Sequence, residues 1–283
     1  MRDAHGYDWH MTSVHTSATL GDEVELGQDV EIGPNCSIEG PVRLGDGVRL
    51  VGNVYLRGPL TVGAGTIIYP FACLGFPAQD IKFKLGDPTP GVSIGTDCII
   101  REHATVHAAT HQEHPTTIGD RVFMMVGAHV GHDALVGNDV VLVNNACLAG
   151  HTVVSDRVTF SGLTALHQFC RAGRFAFISG GAVASCDVPP FAIISTRNTI
   201  GSVNIIGMRR AGLSNSEITS VRRAYREVFK KVIPRKEMEQ RLDELARDSA
   251  LVAELAEFVK TAKRPLCRMA RHPQETASDA GEA

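Results

Sequence analysis

Large rings are scarce in this chain. Aromatic residues make up 6% of its 283 residues and tryptophan occurs once, although 43% of the residues are apolar. A core of that composition is built from Val, Ile, Leu and Ala in narrow layers rather than around aromatic clusters. A basic excess is missing too: the formal net charge of -3 argues against a dedicated nucleic-acid binder. No run of 18 or more apolar residues occurs, so no spanning helix and no integral membrane association are expected. The segment from Met1 to Ser13 has no basic start followed by an apolar stretch and does not read as a signal peptide. Cysteines at Cys36, Cys73, Cys98, Cys147, Cys170, Cys186 and Cys267 form no CxxC pair. They read as reduced, mostly buried thiols of a cytoplasmic protein. None shares a short motif with a His and a carboxylate, which disfavours a cysteine nucleophile.

What is present is a beat of six. An apolar residue recurs at Val14, Leu20, Leu26, Ile32, Ile38, Leu44, Leu50, Leu56, Val62, Ile68 and Leu74. It resumes at Ile94, Ile100 and Val106, then runs from Ile118 through Met124, Val130, Val136, Leu142, Leu148, Val154, Phe160, Leu166 and Ala172 to Ile178. Gly often follows the apolar residue, and a small residue often sits four places after it. Each hexad then supplies a short strand and a tight turn, and three hexads close one triangular coil of about 18 residues. Gly, Asn and Asp accommodate the turn angles. The expected fold is mainly β: a left-handed parallel β-helix of hexapeptide repeats with a C-terminal α-helical domain. The hand is taken from known solenoids of this type and runs against the usual crossover rule. An antiparallel barrel or sandwich would need hairpin turns about every 8 to 12 residues, which are absent.

Residues 76–93 interrupt the beat and shift its phase by two, whereas residues 110–117 insert without a phase change. Loops thrown out of a rigid solenoid are natural places for binding groups. After Val188-Pro189-Pro190 the beat stops. Ser214-Asn215-Ser216-Glu217 is a capping box ahead of Ile218, Val221, Ala224, Tyr225 and Val228 at helical spacing. Further helices are expected over about 235–248 and 250–262. The chain thus divides into a β-helix domain at 14–190, a helical domain at 191–262 and a tail at 263–283 expected to lack order. Residues 201–283 carry a net +4 against -7 for residues 1–200, so the helical end is suited to an acidic partner.

Histidine is the informative residue type. His107, His129, His132, His151 and His167 fall in the second half of the solenoid. Residues one coil apart stack, so His132, Gly150 and Gln168 form one column, and Asn144, Gly162 and Gly180 form a second on another face. The first places an imidazole beneath a glycine whose N–H no side chain obstructs. A general base beside a backbone donor suits acyl transfer, with the base deprotonating a hydroxyl and the donor stabilising the oxyanion. Asp133 is placed to fix the imidazole tautomer. A zinc centre from His107, His129 and His132 is the competing reading, disfavoured because His129 and His132 occupy different hexad positions. Asn144 and Asn145 are read equally well as an asparagine turn ladder.

These residues resemble a known family. His129-Val-Gly-His132-Asp133, Asn144-Asn145-Ala-Cys-Leu-Ala-Gly150-His151, Ala165-Leu-His167-Gln168-Phe-Cys170 and Asp187-Val-Pro-Pro190 are similar to segments of the UDP-N-acetylglucosamine acyltransferases that begin lipid A biosynthesis. Gln79-Asp80-Ile-Lys82, Ile100-Arg101-Glu102 and Val203-Asn204-Ile also match, and the likeness runs from about residue 14 to residue 260. The resemblance implies a homotrimer with sites between subunits. It implies an acyl carrier protein donating a 3-hydroxyacyl chain to the sugar 3-hydroxyl of a UDP-amino sugar, with no cofactor and no metal. His132 is then the general base, Asp133 its orienting partner and Gly150 N–H the oxyanion donor. Gln79, Asp80, Lys82, His107, His129, Asn144, His151, Gly162, His167, Gln168 and Asn204 would contact substrate. Gly180 falls where the family measures acyl length, and Arg210 would bind a phosphate or the carrier.

The chain also departs from the family. Ala108-Ala109-Thr110 stands where Arg-Gly-Thr is usual, Ile206 where Glu is usual, and Ala211 where a second Arg is usual. The loop His111-Gln-Glu-His114 is unfamiliar. A 3-amino UDP-sugar acceptor and a coenzyme A donor therefore stay open, with a zinc hydratase as a remote third class.

Overall fold

The computed structural model describes residues 12–84, 86–231 and 233–269. Three parallel sheets of short strands form the sides of a triangular solenoid. The chain visits the first, second and third sheet in turn. Short strands recur, with the beat residue turned inward: Ile38, Leu56, Ile68, Val106, Val130 and Leu148 are almost fully buried. The position before each strand is equally enclosed and mostly small: Cys36, Val54, Ala72, Ala104, Ala128 and Ala146 succeed one another there. This is why rings are scarce, since stacked coils leave room only for compact side chains. Cys36, Cys98, Cys170 and Cys267 are buried and Cys73, Cys147 and Cys186 half-buried, all as free thiols.

Strand register measures the coil. Ile38 pairs with Leu56, three hexads on, which is one plain coil. Ile68 pairs with Ile100 and Ile100 with Met124, so the coil is lengthened twice in succession. From Met124 the partner is again one plain coil away, at Leu142. The two excesses are the two interruptions of the beat. The second is one whole hexad, whereas the first is two hexads and two further positions, which is why it alone shifts the phase. Both loops leave the same corner, between the second and third sheets, after Cys73–Phe76 and after Thr105–His107. His132, Gly150 and Gln168 occupy that corner in the next three coils. Corner residues adopt left-handed backbone at the same pitch, Asp133, His151 and Phe169 in this column having φ of 59°, 59° and 63°.

Beyond residue 190 the strand Ala192–Thr196 still stacks on Phe177–Ile178, then turns back antiparallel onto Thr199–Val203. Among the described residues four α-helices follow: α1 (Ile205–Arg210), α2 (Asn215–Ala224), α3 (Arg235–Ala246) and α4 (Ala250–Thr261). The capping box at Ser214 and Glu217 starts α2, which runs on as a π-helical turn over Tyr225–Phe229. The hairpin and α1 were not expected from the sequence. The helices pack on the last coil without a break in the core. Tyr225 donates to the Pro190 carbonyl at 2.5 Å, Arg174 pairs with Glu254, and the Arg171 guanidinium lies over Phe258.

The expected loss of order from residue 263 is corrected in its first part. Asp187 N–H donates to the Pro265 carbonyl, Cys267 N–H donates to the Asp187 carbonyl, and Arg268–Met269 joins the first sheet beside Thr199–Val203. These bonds and the buried Cys267 hold a polar segment that has no period of its own. Residues 270–283 lie outside the described residues.

Candidate functional site

The site begins with Asp133, buried in the corner beneath the second loop. Its carboxylate accepts from Thr110 N–H at 3.0 Å, His111 N–H at 2.9 Å, the Thr110 hydroxyl at 2.7 Å and the His132 ring at 2.7 Å. Its own N–H donates to the Thr116 hydroxyl. Burial pushes the carboxyl pKa up. The His111 N–H, the His132 ring and both Thr110 donors outweigh it and hold the group well below the usual carboxylate range. The one-hexad insertion therefore has a structural purpose: it brings Thr110 and His111 back over the carboxylate.

An ionised carboxylate only accepts, so the His132 contact assigns the imidazole proton to Nδ1. Nε2 is left with its lone pair. It faces Gly150, one coil on, so closely that a Cβ on Gly150 would stand 2.6 Å from Nε2 and 2.7 Å from Cε1. The Gly150 N–H has no acceptor among the described residues. A base lone pair and a backbone N–H without an acceptor thus lie on successive coils of the same corner.

More imidazoles surround this pair. His151 packs edge-on to His132 with ring centroids 5.0 Å apart, and its other face stacks on Phe169 at 4.6 Å. His129 contacts the Thr105 hydroxyl through Nδ1 at 2.7 Å and meets His107 edge-on at 5.0 Å. Burial, reinforced by the neighbouring His129 and His132, lowers the His107 pKa to about 4. Burial and His132 lower His129 as well. For His151, burial lowers the pKa and the nearby Asp133 and Asp80 carboxylates oppose it, leaving a net decrease.

Asp80 belongs to the first loop. Gln79 and Lys82 are exposed on the same loop, and Asp80 accepts from Lys82 N–H at 2.9 Å to form a tight turn. Gln112 donates to the Pro88 carbonyl, tying the two loops together. His167 and Gln168 lie exposed at the next coil, where Arg264 from the returning C-terminal segment donates to the Gln168 carbonyl at 3.0 Å and meets His167 Nδ1 at 3.3 Å. Arg264, Thr110 and Thr116 were not singled out from the sequence. Thr116 stands one position short of a full coil before Asp133, and that near-coincidence with the pitch was the available signal.

The second column also forms, at the corner between the first and second sheets. A Cβ on Gly162 would meet the Asn144 carbonyl at 3.7 Å, and one on Gly180 would meet the Gly162 carbonyl at 3.7 Å, ordinary contact distances. A side chain could stand at either glycine, so this corner is open. Asn204 has a structural role: its side chain caps α1 by accepting from Gly207 N–H and donates to the Phe175 carbonyl. Arg210 is exposed in the last turn of α1. Ala108 and Ala109 are buried, with N–H groups donating to the Phe76 and Gly91 carbonyls, so a longer side chain there would displace the loop exit. His107, His129 and His132 do not converge as metal ligands. Among the described residues the group with ligand spacing is instead His111, Asp133 and His151.

Known proteins share this architecture. Residues 187–267 match the family model for domain 2 of UDP N-acetylglucosamine O-acyltransferase, and residues 23–58 match the bacterial transferase hexapeptide model of six repeats. The acyl-[acyl-carrier-protein]–UDP-N-acetylglucosamine O-acyltransferase of Xylella fastidiosa is 41% identical over 263 residues, covering 92% of this chain and 99% of the relative. This chain belongs to the UDP-N-acetylglucosamine O-acyltransferase family. The family member from Stutzerimonas stutzeri is 42% identical over 88% of this chain and 95% of its own length. Among solved structures, the family member from Bacteroides fragilis superposes with a TM-score of 0.86 at 31% identity, covering 90% of this chain and all of that one. The Francisella novicida member gives 0.87 at 29% identity over 94% and 96%. The expected three-sided β-helix with a helical C-terminal part is thereby borne out, as is the family inferred from the His-Asp, Leu-Ala-Gly-His and His-Gln-Phe-Cys segments.

Proposed function

We propose that this protein transfers a 3-hydroxyacyl chain from acyl carrier protein to the 3-hydroxyl of UDP-N-acetylglucosamine, the step that opens lipid A synthesis. The observation that carries this reading is the His132–Asp133 pair beneath Gly150. His132 Nε2 takes the proton from the sugar hydroxyl as its oxygen attacks the thioester carbonyl. The resulting oxyanion accepts from Gly150 N–H. Collapse breaks the C–S bond, and the carrier's thiolate takes the proton back from His132. Asp133 stabilises the imidazolium between those two transfers.

The surroundings supply the binding surfaces. Gln79, Asp80 and Lys82 on the first loop, with His107, His129, His151, His167 and Gln168, line the approach to the dyad and would hold sugar and phosphates. The groove over Asn144, Gly162 and Gly180 would take the acyl chain. On the helical end, Arg222, Arg223, Arg226 and Lys230 line a cavity of about 430 Å³. Four cations around one cavity suit an acidic carrier protein. Arg210 is assigned to the same function from the exposed end of α1.

A homotrimer is supported by the corners. Phe71, Leu163 and Phe169 hold left-handed backbone that Asn or Gly would adopt more readily, yet they are large, apolar and 47%, 70% and 53% exposed. Exposed apolar corners, of which Phe169 stacks on His151 in the histidine cluster, call for a partner surface, and a second copy would close the site. No helix among the described residues is long and apolar enough to cross a membrane. We place the reaction in the cytoplasm with its carrier.

The deciding assay offers 3-hydroxyacyl carrier proteins of several lengths to UDP-N-acetylglucosamine and to its 3-amino analogue, with His132→Ala as control. Transfer to the hydroxyl sugar that is lost in the control supports the proposal. Transfer to the amine alone would change the acceptor, and no transfer to either sugar would overturn the reading.

A further inference from the structure

Asp133 lies against two further imidazoles that proton transfer does not use. His111 Nδ1 lies 3.4 Å from Oδ1, and His151 Nε2 lies 3.8 Å from Oδ2. One ligand atom from each of the three residues falls within 4.8 Å of the others. In a tetrahedral zinc site with bonds near 2.0–2.1 Å, neighbouring ligand atoms stand roughly 3.3–3.4 Å apart. The His111 contact with Oδ1 is already at that spacing, while the His151 contact is with the other oxygen and slightly wide. His111 is exposed on the inserted loop, so its ring can turn toward the ion, and a small shift of the His151 ring in its own plane closes the rest. His151 is held from behind by its stack on Phe169.

We propose that His111, Asp133 and His151 form an inhibitory divalent-metal site suited to Zn²⁺. Two neutral imidazoles and a carboxylate are a borderline-soft donor set, and three protein ligands leave one tetrahedral position for water. The carboxylate is already ionised, so only the imidazole nitrogens must be free of protons for the ion to bind. At His111 the ion replaces the 3.2 Å contact between Nδ1 and the Thr110 hydroxyl, and at Asp133 Oδ1 it takes the place of one of the loop N–H donors from Thr110 and His111.

Inhibition follows from charge and rests on the acyl-transfer reading of the dyad. His132 must become an imidazolium in mid-reaction, and a dication held by its own carboxylate partner disfavours that state. The same ion draws electron density from the Asp133 oxygen that receives His132 Nδ1–H. His151 would be taken from the substrate approach as well. The insertion that carries His111 thus couples turnover to free zinc.

The test uses the full-length protein freed of metal. Co²⁺ is titrated in and followed by visible absorption, whose intense d–d bands report tetrahedral coordination. Zn²⁺ is titrated into the acyl-transfer assay in parallel. Wild type is compared with His111→Ala and with His103→Ala, an exposed histidine that stacks on Phe71. Each variant's inhibition is scaled to its own zinc-free rate. The expected result is one tetrahedral Co²⁺ per chain, displaced by Zn²⁺, in wild type and His103→Ala. In His111→Ala both Co²⁺ binding and Zn²⁺ inhibition should weaken about tenfold or more. Absence of tetrahedral bands, or bands and inhibition unchanged in His111→Ala, would overturn the proposal. The Co²⁺ spectrum reads the site without turnover. A failed acyl-transfer reading would therefore show as activity surviving in His132→Ala, whatever the metal result.

Discussion

His132 and Asp133 are neighbours in the chain, and their side chains meet at 2.7 Å across a corner where Asp133 takes left-handed backbone with φ of 59°. Adjacent residues of a strand point to opposite faces; the corner turns these two onto each other. Three more donors from the inserted loop fix the carboxylate, so the imidazole is held in one tautomer before any substrate arrives.

Removing either member should therefore be costly. His132→Ala should lower kcat by about two to four orders of magnitude, the span a general base supplies. Asp133→Asn should lose a comparable factor, because an amide nitrogen would confront donors at a site built to accept. Circular dichroism and light scattering should show the fold retained in His132→Ala. Near-normal turnover in that variant would remove the base assignment.

Gly150→Ala tests the second half of the pair. The added methyl would sit 2.6 Å from Nε2, and the imidazole would have to swing off Asp133 to admit it. The expected result is a fall in kcat approaching that of His132→Ala, with thermal unfolding little changed. The measurement is steady-state kinetics alongside a melting curve. Full activity in Gly150→Ala would mean that the glycine is there only for the solenoid turn.

A pH effect on stability follows from His107. Its Nδ1 is buried without a hydrogen-bond partner among the described residues, and burial lowers its pKa to about 4 from the usual 6.5. The unfolded chain takes up this proton first. The stability gained by keeping the ring neutral is therefore complete above about pH 6.5 and is lost as pH falls towards 4. The downward shift of His129 acts in the same direction. Urea unfolding should show a lower midpoint at pH 5 than at pH 7.5, and His107→Gln should reduce that difference. Nuclear magnetic resonance should find His107 still neutral at pH 5; protonation near 6.5 would contradict the buried environment.

The solenoid was legible because its period belongs to the backbone. Once three hexads close a coil, stacking of successive coils brings His132 under Gly150 and Asn144 under Gly162 without any knowledge of side-chain packing. The two lengthened coils could be read from the beat as well. What the inserted loops do could not, because their path is set by hydrogen bonds rather than periodicity. Thr110 and His111 reach Asp133 only through the return of that loop, and Arg264 reaches Gln168 through an aperiodic tail that was expected to lack order. Nor could the sequence show that Asn204, read as a substrate contact, also caps α1. That helix, with Gly207 inside it, is too short to show a helical pattern.

Acyl-chain length offers the sharpest test of the second column. Gly180 is exposed at the corner between the first and second sheets, above Gly162, and a Cβ there meets nothing closer than 3.7 Å. A longer side chain can therefore be accommodated by the backbone and would project into the groove rather than distort it. Gly180→Met should shift the preferred donor to a shorter acyl chain, with turnover on short donors close to wild type and turnover on long donors down about tenfold or more. That figure corresponds to roughly 1.4 kcal/mol, less than the burial of two methylene groups at about 0.8 kcal/mol each. Competition between 3-hydroxyacyl carrier proteins of different lengths, read by mass spectrometry of the product, measures the shift directly. An unchanged length profile would mean that the chain lies elsewhere on the solenoid, because a methionine cannot stand in an occupied groove without displacing what fills it.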